Sequence, residues 1–188
     1  KIEAVDVRAF HITAGTVVFK RSGTKQGYIK ANPATENSTF DESSSVIRVG
    51  NNNGTEGTQV KLTIEDGVKV QSNYCYGVTV FGSKTKETLI INGSVTTWGN
   101  ESAISGNGST GYGGTDITIN GTVTSYGTYS IYHPQDGNLT INGTVGSGTT
   151  KLPYAAGIEA KAGTIVINER ACVFAGANPT LSHEPYTN

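Results

Sequence analysis

The sequence predicts an all-β solenoid, a parallel β-helix wound in coils of about 22–28 residues, and three observations predict it. One phrase occurs three times: Ile91-Asn92-Gly93-Ser94-Val95, Ile119-Asn120-Gly121-Thr122-Val123 and Ile141-Asn142-Gly143-Thr144-Val145. The asparagines are spaced by 28 (120−92) and 22 (142−120) residues, the mark of one structural rung copied along an axis. A second ruler keeps step, because Ile104, Ile131 and Ile158 recur at intervals of 27 (131−104 and 158−131). Composition is the third observation: 25 glycines, 5 prolines and no methionine speak for many tight turns and few long helices.

Hydrophobic content is only 35 %. A slender solenoid tolerates that, since each coil supplies a few inward side chains and stacks them on its neighbours. A net charge of −1 gives no basic field for phosphates, so nucleic acid is not an expected partner. No apolar run approaches the roughly 18 residues of a membrane span, and no signal-like segment follows Lys1. Without methionine, the chain reads as processed or as an excised domain.

Taken in order, one domain over 1–188 is expected: irregular N-terminal coils over 1–57, regular coils over 58–176 and a tail over 177–188. Ile2 to Phe10 alternates imperfectly and suits an opening strand. Phe10-His11-Ile12, the Ala14-Gly15 corner and Thr16-Val17-Val18 match Ile158-Glu159-Ala160, Ala162-Gly163 and Thr164-Ile165-Val166 near the far end. Arg21 to Ser45 is polar and turn-rich, and reads as an excursion or an irregular first coil. Val46 to Val49 resumes strand character before the corner Asn51-Asn52-Asn53-Gly54. Val60 to Ile64 and Gly77 to Phe81 are the first regular strands, separated by the aromatic corner Tyr74-Cys75-Tyr76.

In stacked coils, equivalent side chains form columns. Val and Ile point inward, while Thr and Ser crowd the outer face, where β-branching favours strands at little desolvation cost. The asparagine before each repeated glycine is expected to form an internal ladder satisfying corner backbone groups. Its alternative is glycosylation, since Asn92, Asn120 and Asn142 lie in N-x-Ser/Thr sequons, with Asn37, Asn100 and Asn107 the loop candidates. Cys75 and Cys172 fall about three coils apart, about 14 Å at ~4.8 Å per coil, beyond the ~7 Å that a bridge spans. Two free, largely buried thiols are expected.

The unit of short strand, glycine corner and Thr-apolar-x-Ile-Asn-Gly-x-Val resembles the right-handed parallel β-helix proteins of the pectate-lyase-like superfamily. Within it, the chain is similar to repeat-rich surface and carbohydrate-binding domains of secreted bacterial proteins, from about Thr58 to Ala175. The resemblance implies an extracellular or cell-surface protein associated with polysaccharide.

Polysaccharide-cleaving members of that superfamily use clustered acids, which requires carboxylates at equivalent positions of adjacent coils. Asp66, Glu101, Asp116, Asp136 and Glu159 instead occupy different phases, and the neighbours expected for Asp116 are Leu89, Leu139 and Ile165. Glu65 and Asp66 read as a solvated corner. Asn51 to Gly57 has oxygen ligands at calcium-loop-like spacing but lacks the Asp charges that give such loops affinity, and calcium is the one cofactor candidate. His11, His133 and His183 are scattered, with no zinc spacing.

Aromatic residues carry the binding expectation. Thr96-Thr97-Trp98-Gly99 and Thr124-Ser125-Tyr126-Gly127 are equivalent, which stacks Trp98 on Tyr126, with Phe174 at a similar phase. Val95 and Val123 point inward and the aromatics follow three residues later, so strand parity turns them outward, where aromatic faces suit sugar rings. Tyr129, Tyr132 and His133 cluster in the loop beyond. The expected ligand-binding set is Trp98, Tyr126, Tyr129, Tyr132 and His133, and the expected role is non-catalytic binding of polysaccharide or cell-surface glycan. The alternatives are a polysaccharide lyase or glycoside hydrolase, and a structural stalk or filament subunit associating end to end through open coil edges.

Overall fold

Strand formation follows the alternation of apolar and polar residues, and in the computed structural model it produces an all-β chain with no helix among the described residues. Those residues are 1–32, 44–50, 59–81, 86–106, 114–134, 136–147 and 157–176. The first coil holds β1 (Ile2–Val5), β2 (Phe10–Ile12) and β3 (Gly15–Phe19). The second holds β4 (Gly27–Asn32), β5 (Ser45–Val49) and β6 (Val60–Ile64), and the third β7 (Val68–Ser72), β8 (Tyr76–Val80) and β9 (Glu87–Ile91). Then come β10 (Ser94–Thr97), β11 (Ile104–Gly106) and β12 (Thr115–Ile119), followed by β13 (Thr122–Ser125), β14 (Ile131–His133) and β15 (Asn138–Ile141). The sixth coil holds β16 (Thr144–Ser147), β17 (Ile158–Ala160) and β18 (Thr164–Ile167), and β19 (Cys172–Ala175) adds a last rung.

Every third strand pairs in parallel. One sheet runs β1-β4-β7-β10-β13-β16-β19 (sheet A), a second β2-β5-β8-β11-β14-β17 (sheet B) and a third β3-β6-β9-β12-β15-β18 (sheet C). This arrangement is consistent with a parallel β-helix or solenoid. The isoleucine ruler is a true register, with Ile104 opposite Ile131 and Ile131 opposite Ile158. Regular pairing starts earlier than position 58, because β1 already pairs with β4 and β3 with β6. The stretch from Arg21, read as an excursion or an irregular first coil, contains the strand β4, whose Ile29 and Ala31 face the core between exposed-side Tyr28, Lys30 and Asn32.

Inward columns form the core. In sheet A, Ile29, Val70, Val95, Val123 and Val145 stack, and in sheet C, Leu62, Leu89, Ile117 and Leu139 run beside Ile64, Ile91, Ile119 and Ile141. All are buried, and each such side chain contributes roughly 1.5–3 kcal/mol on leaving water. On β18 the same columns reach the surface, where Ile165 and Ile167 are 40 % and 57 % exposed.

The corner between sheets C and A explains the repeated Asn-Gly phrase. Asn92, Asn120, Asn142 and Asn168 form a chain of amide-to-amide bonds: Asn120 Nδ2 donates to Asn92 Oδ1 (2.7 Å), Asn142 Nδ2 to Asn120 Oδ1 (2.6 Å) and Asn168 Nδ2 to Asn142 Oδ1. Asn92 Nδ2 closes it on Glu65 Oε2 at 3.0 Å. The ladder therefore exists but lies on the surface, not inside as expected. The corner N–H groups are met by the backbone instead, as Ile91 O accepts from both Asn120 N (2.8 Å) and Gly121 N (2.9 Å). Gly121 has no positive φ; it is required because a Cβ there would stand 1.9 Å from Gly93 O. Left-handed glycines do stand at the two matching Ala-Gly corners, Gly15 with φ of 76° and Gly163 with φ of 88°.

Both cysteines are free; Cys75 is buried and Cys172 only half-buried. They lie four rungs of sheet A apart, one more than expected, since Cys75 follows β7 and Cys172 opens β19. Burial pushes the Cys75 thiol up to about 11, which keeps it unreactive. Asp116 stands opposite Thr88, not Leu89, and its carboxylate accepts Asn138 N at 2.8 Å and pairs with Lys86 at 3.5 Å. Counting back from each corner asparagine places Asp116 one step earlier than the leucines.

Candidate functional site

Where sheet A turns toward sheet B, four successive strands, β7, β10, β13 and β16, end on an inward hydroxyl: Ser72, Thr97, Ser125 and Ser147, all buried and in register. These side chains satisfy the corner backbone that no strand reaches, the task expected of the asparagines. Ser72 Oγ accepts from Cys75 N (2.9 Å), Ser125 Oγ accepts from Gly127 N (3.2 Å) and donates to Glu101 O (2.9 Å), and Thr97 Oγ1 donates to the same carbonyl (3.0 Å). Buried groups held this way give the turn one geometry. The next residue then faces outward, and in two adjacent coils it is aromatic.

Trp98 and Tyr126 are 46 % and 43 % exposed. Their rings are parallel within 3°, with centroids 6.2 Å apart. Both backbones are clipped to the rung below, Trp98 N to Ser72 O and Tyr126 N to Thr97 O, each at 2.9 Å. Stacking of the corners is possible because Gly127 lacks a Cβ, which would lie 1.8 Å from Gly99 O. Phe174 does not join the pair. It stands opposite Gly146, two positions before the aromatic phase, and its ring covers that glycine.

One turn further, on the sheet B side, lies a pocket of about 240 Å³ lined by Tyr76, Glu101, Ser105, Thr128, Tyr129 and Tyr132 among others. Asn100 and Thr128, each two residues beyond an aromatic of the pair, form its lip. Tyr129 and Tyr132 have parallel-leaning rings with centroids 6.4 Å apart. Burial and a hydrogen bond to the Glu101 carboxylate raise the Tyr76 hydroxyl well above its usual range. The Glu159 carboxylate, accepting the Tyr129 O–H, raises that phenol too. Lys161 Nζ donates to Tyr132 Oη at 2.9 Å and lies 3.6 Å from Glu159 Oε1.

Four of the five expected binding residues thus fall into two stacked pairs, Trp98 with Tyr126 and Tyr129 with Tyr132. His133 does not, because it is two residues beyond inward-facing Ile131 and shares its parity, which leaves it 1 % exposed. Its Nε2 has no hydrogen-bond partner among the described residues, and burial lowers its basicity. It is a core residue and drops out of the surface set. Of the glycosylation candidates, Asn100 is exposed beside the pocket, while Asn37 and Asn107 lie outside the described residues. The calcium candidate over Asn51 to Gly57 also lies outside them, and no group of His, Cys, Asp and Glu able to hold a metal occurs among the described residues.

The pocket's polar wall escaped the sequence reading. Its signal was present: the residues that follow the ruler isoleucines, Ser105, Tyr132 and Glu159, form one outward column. Comparison with protein-family models, with curated proteins and with solved structures returned no match.

Proposed function

We propose that the chain is a non-catalytic, right-handed parallel β-helix domain of a secreted or surface-displayed protein, and that it binds glycan through Trp98 and Tyr126. The observation that carries this reading is the pair of exposed, parallel rings on adjacent rungs. Such a platform has the geometry to stack on the C–H faces of pyranose rings, and the neighbouring tyrosine hydroxyls supply hydrogen bonds at low entropic cost. The handedness rests on the strong right-handed preference of parallel crossover connections. Asp66 pairs with Arg21 and Glu65 holds Asn92, while Glu159 is tied to Lys161 and Tyr129 and Glu101 to Tyr76 beside the pocket.

The test is a glycan array probed with the native chain and with Trp98→Ala/Tyr126→Ala. Loss of every glycan signal in the double variant, at unchanged thermal stability, is the expected result; retained binding refutes the assignment.

A second reading, self-association through coil edges, is favoured by the exposure of Ile165 and Ile167 on β18, whose column partners Leu139 and Ile141 are buried. Mass growing with concentration in light scattering supports it, and a constant monomer mass contradicts it.

A further inference from the structure

We infer that the pocket beside the aromatic pair is a subsite for a non-acidic sugar and discriminates against uronates; this rests on glycan binding at the platform. Position argues for one continuous site. The corners 98–100 and 126–128 carry an aromatic residue at one end and a pocket-lining residue at the other, so a chain of sugar rings stacked on Trp98 and Tyr126 continues directly over the pocket.

Chemistry argues for the class of sugar. Glu101 is the only charged residue among the described lining residues, and its carboxylate is anchored by the Tyr76 hydroxyl. An anchored carboxylate has about four acceptor positions in all, which suits the paired hydroxyls of a neutral pyranose or the ammonium of an amino sugar. Ser105 and the Tyr132 hydroxyl complete a polar wall. The carboxylate of a uronate would instead approach a like charge in a partly desolvated pocket. The rim cation does not reverse this balance, because Lys161 is held between the Tyr132 hydroxyl and the Glu159 carboxylate.

The experiment uses the intact chain, its Glu101→Gln variant and its Trp98→Ala/Tyr126→Ala variant on matched oligosaccharides. These are galacto- with galacturono-oligomers, gluco- with glucurono-oligomers, and glucosamine oligomers. The native chain is expected to favour the neutral or amino member by at least about tenfold, a ratio that Glu101→Gln reduces to about threefold or less. Rising ionic strength narrows the native preference in the same direction, a readout that needs no variant. Uronates bound as well as their neutral partners overturn the inference while leaving the platform in place. An unchanged ratio in Glu101→Gln overturns it equally, as does uronate binding that depends on Lys161. Absence of any glycan binding by the native chain removes the platform reading, and the inference with it.

Discussion

Replacing Gly121 by alanine tests the packing of the Asn-Gly corner. The added Cβ would lie 1.9 Å from Gly93 O and 2.5 Å from Asn92 O, where ordinary contact begins at 3.4 Å. The corner must therefore retreat by 1.5 Å (3.4−1.9) from the rung below. Four bonds cross that gap at 2.7–3.0 Å: Asn120 N and Gly121 N to Ile91 O, Thr122 N to Gly93 O, and the Asn120–Asn92 amide pair. At about 0.5–1.5 kcal/mol net each, their loss costs about 2–6 kcal/mol, and partial relaxation points to about 3. For a chain of this size that lowers the melting temperature by about 6–12 °C. The control is Gly23→Ala, where φ is +80° and nothing lies within 4 Å, so only left-handed backbone strain of about 1–2 kcal/mol applies. Circular dichroism melts of both variants decide the matter. If Gly121→Ala melts within about 2 °C of the native chain, close backbone approach is not why glycine stands there.

Other perturbations address separate parts of the molecule. Burial holds the folded His133 below its ordinary value of 6.5, so as pH falls through 6.5 the unfolded chain binds a proton that the folded chain refuses. Stability is then lost on acidification by at most about 1.4 kcal/mol per pH unit from this group, and His133→Leu flattens that limb of a urea-midpoint profile; an equally steep limb in the variant contradicts the burial argument. Asn-Gly steps deamidate when the glycine nitrogen attacks the asparagine side-chain carbonyl, closing a succinimide and releasing ammonia, after which water opens the ring. Because Gly121 N donates to Ile91 O and the Asn120 amide is held on both sides, peptide mapping is expected to show Asn120 intact in the folded chain and converted in urea. Equal conversion in both states would show that the ladder gives no protection.

Much of the scaffold was legible because repeated residues had to share a register. The Asn-Gly phrase marks the corner between sheets C and A, and the isoleucine ruler marks sheet B. The first two coils carry no such phrase, so β4, with lysine and asparagine on its outer side, reads equally as an excursion or as part of an irregular coil. The asparagines lie on the opposite side from the one expected because a corner has no parity: amide columns satisfy themselves on either surface, and buried Ser72, Thr97, Ser125 and Ser147 do the internal work. Strand parity did place Trp98 and Tyr126, since β10 and β13 run without a bulge up to the turn. The same count applied to Ile131 would have put His133 inside. Glu101 had no signal of this kind, because it sits in a corner held by Thr97 and Ser125 hydroxyls rather than on a strand.

Trp98 is the only tryptophan in the chain, so tryptophan fluorescence reports on the surroundings of the proposed contact. Titration of the native chain with a glycan that binds on the array is expected to shift its emission to the blue and to shield it from acrylamide, with saturation at the array affinity. Glycan binding that leaves Trp98 emission and quenching unchanged would contradict the account.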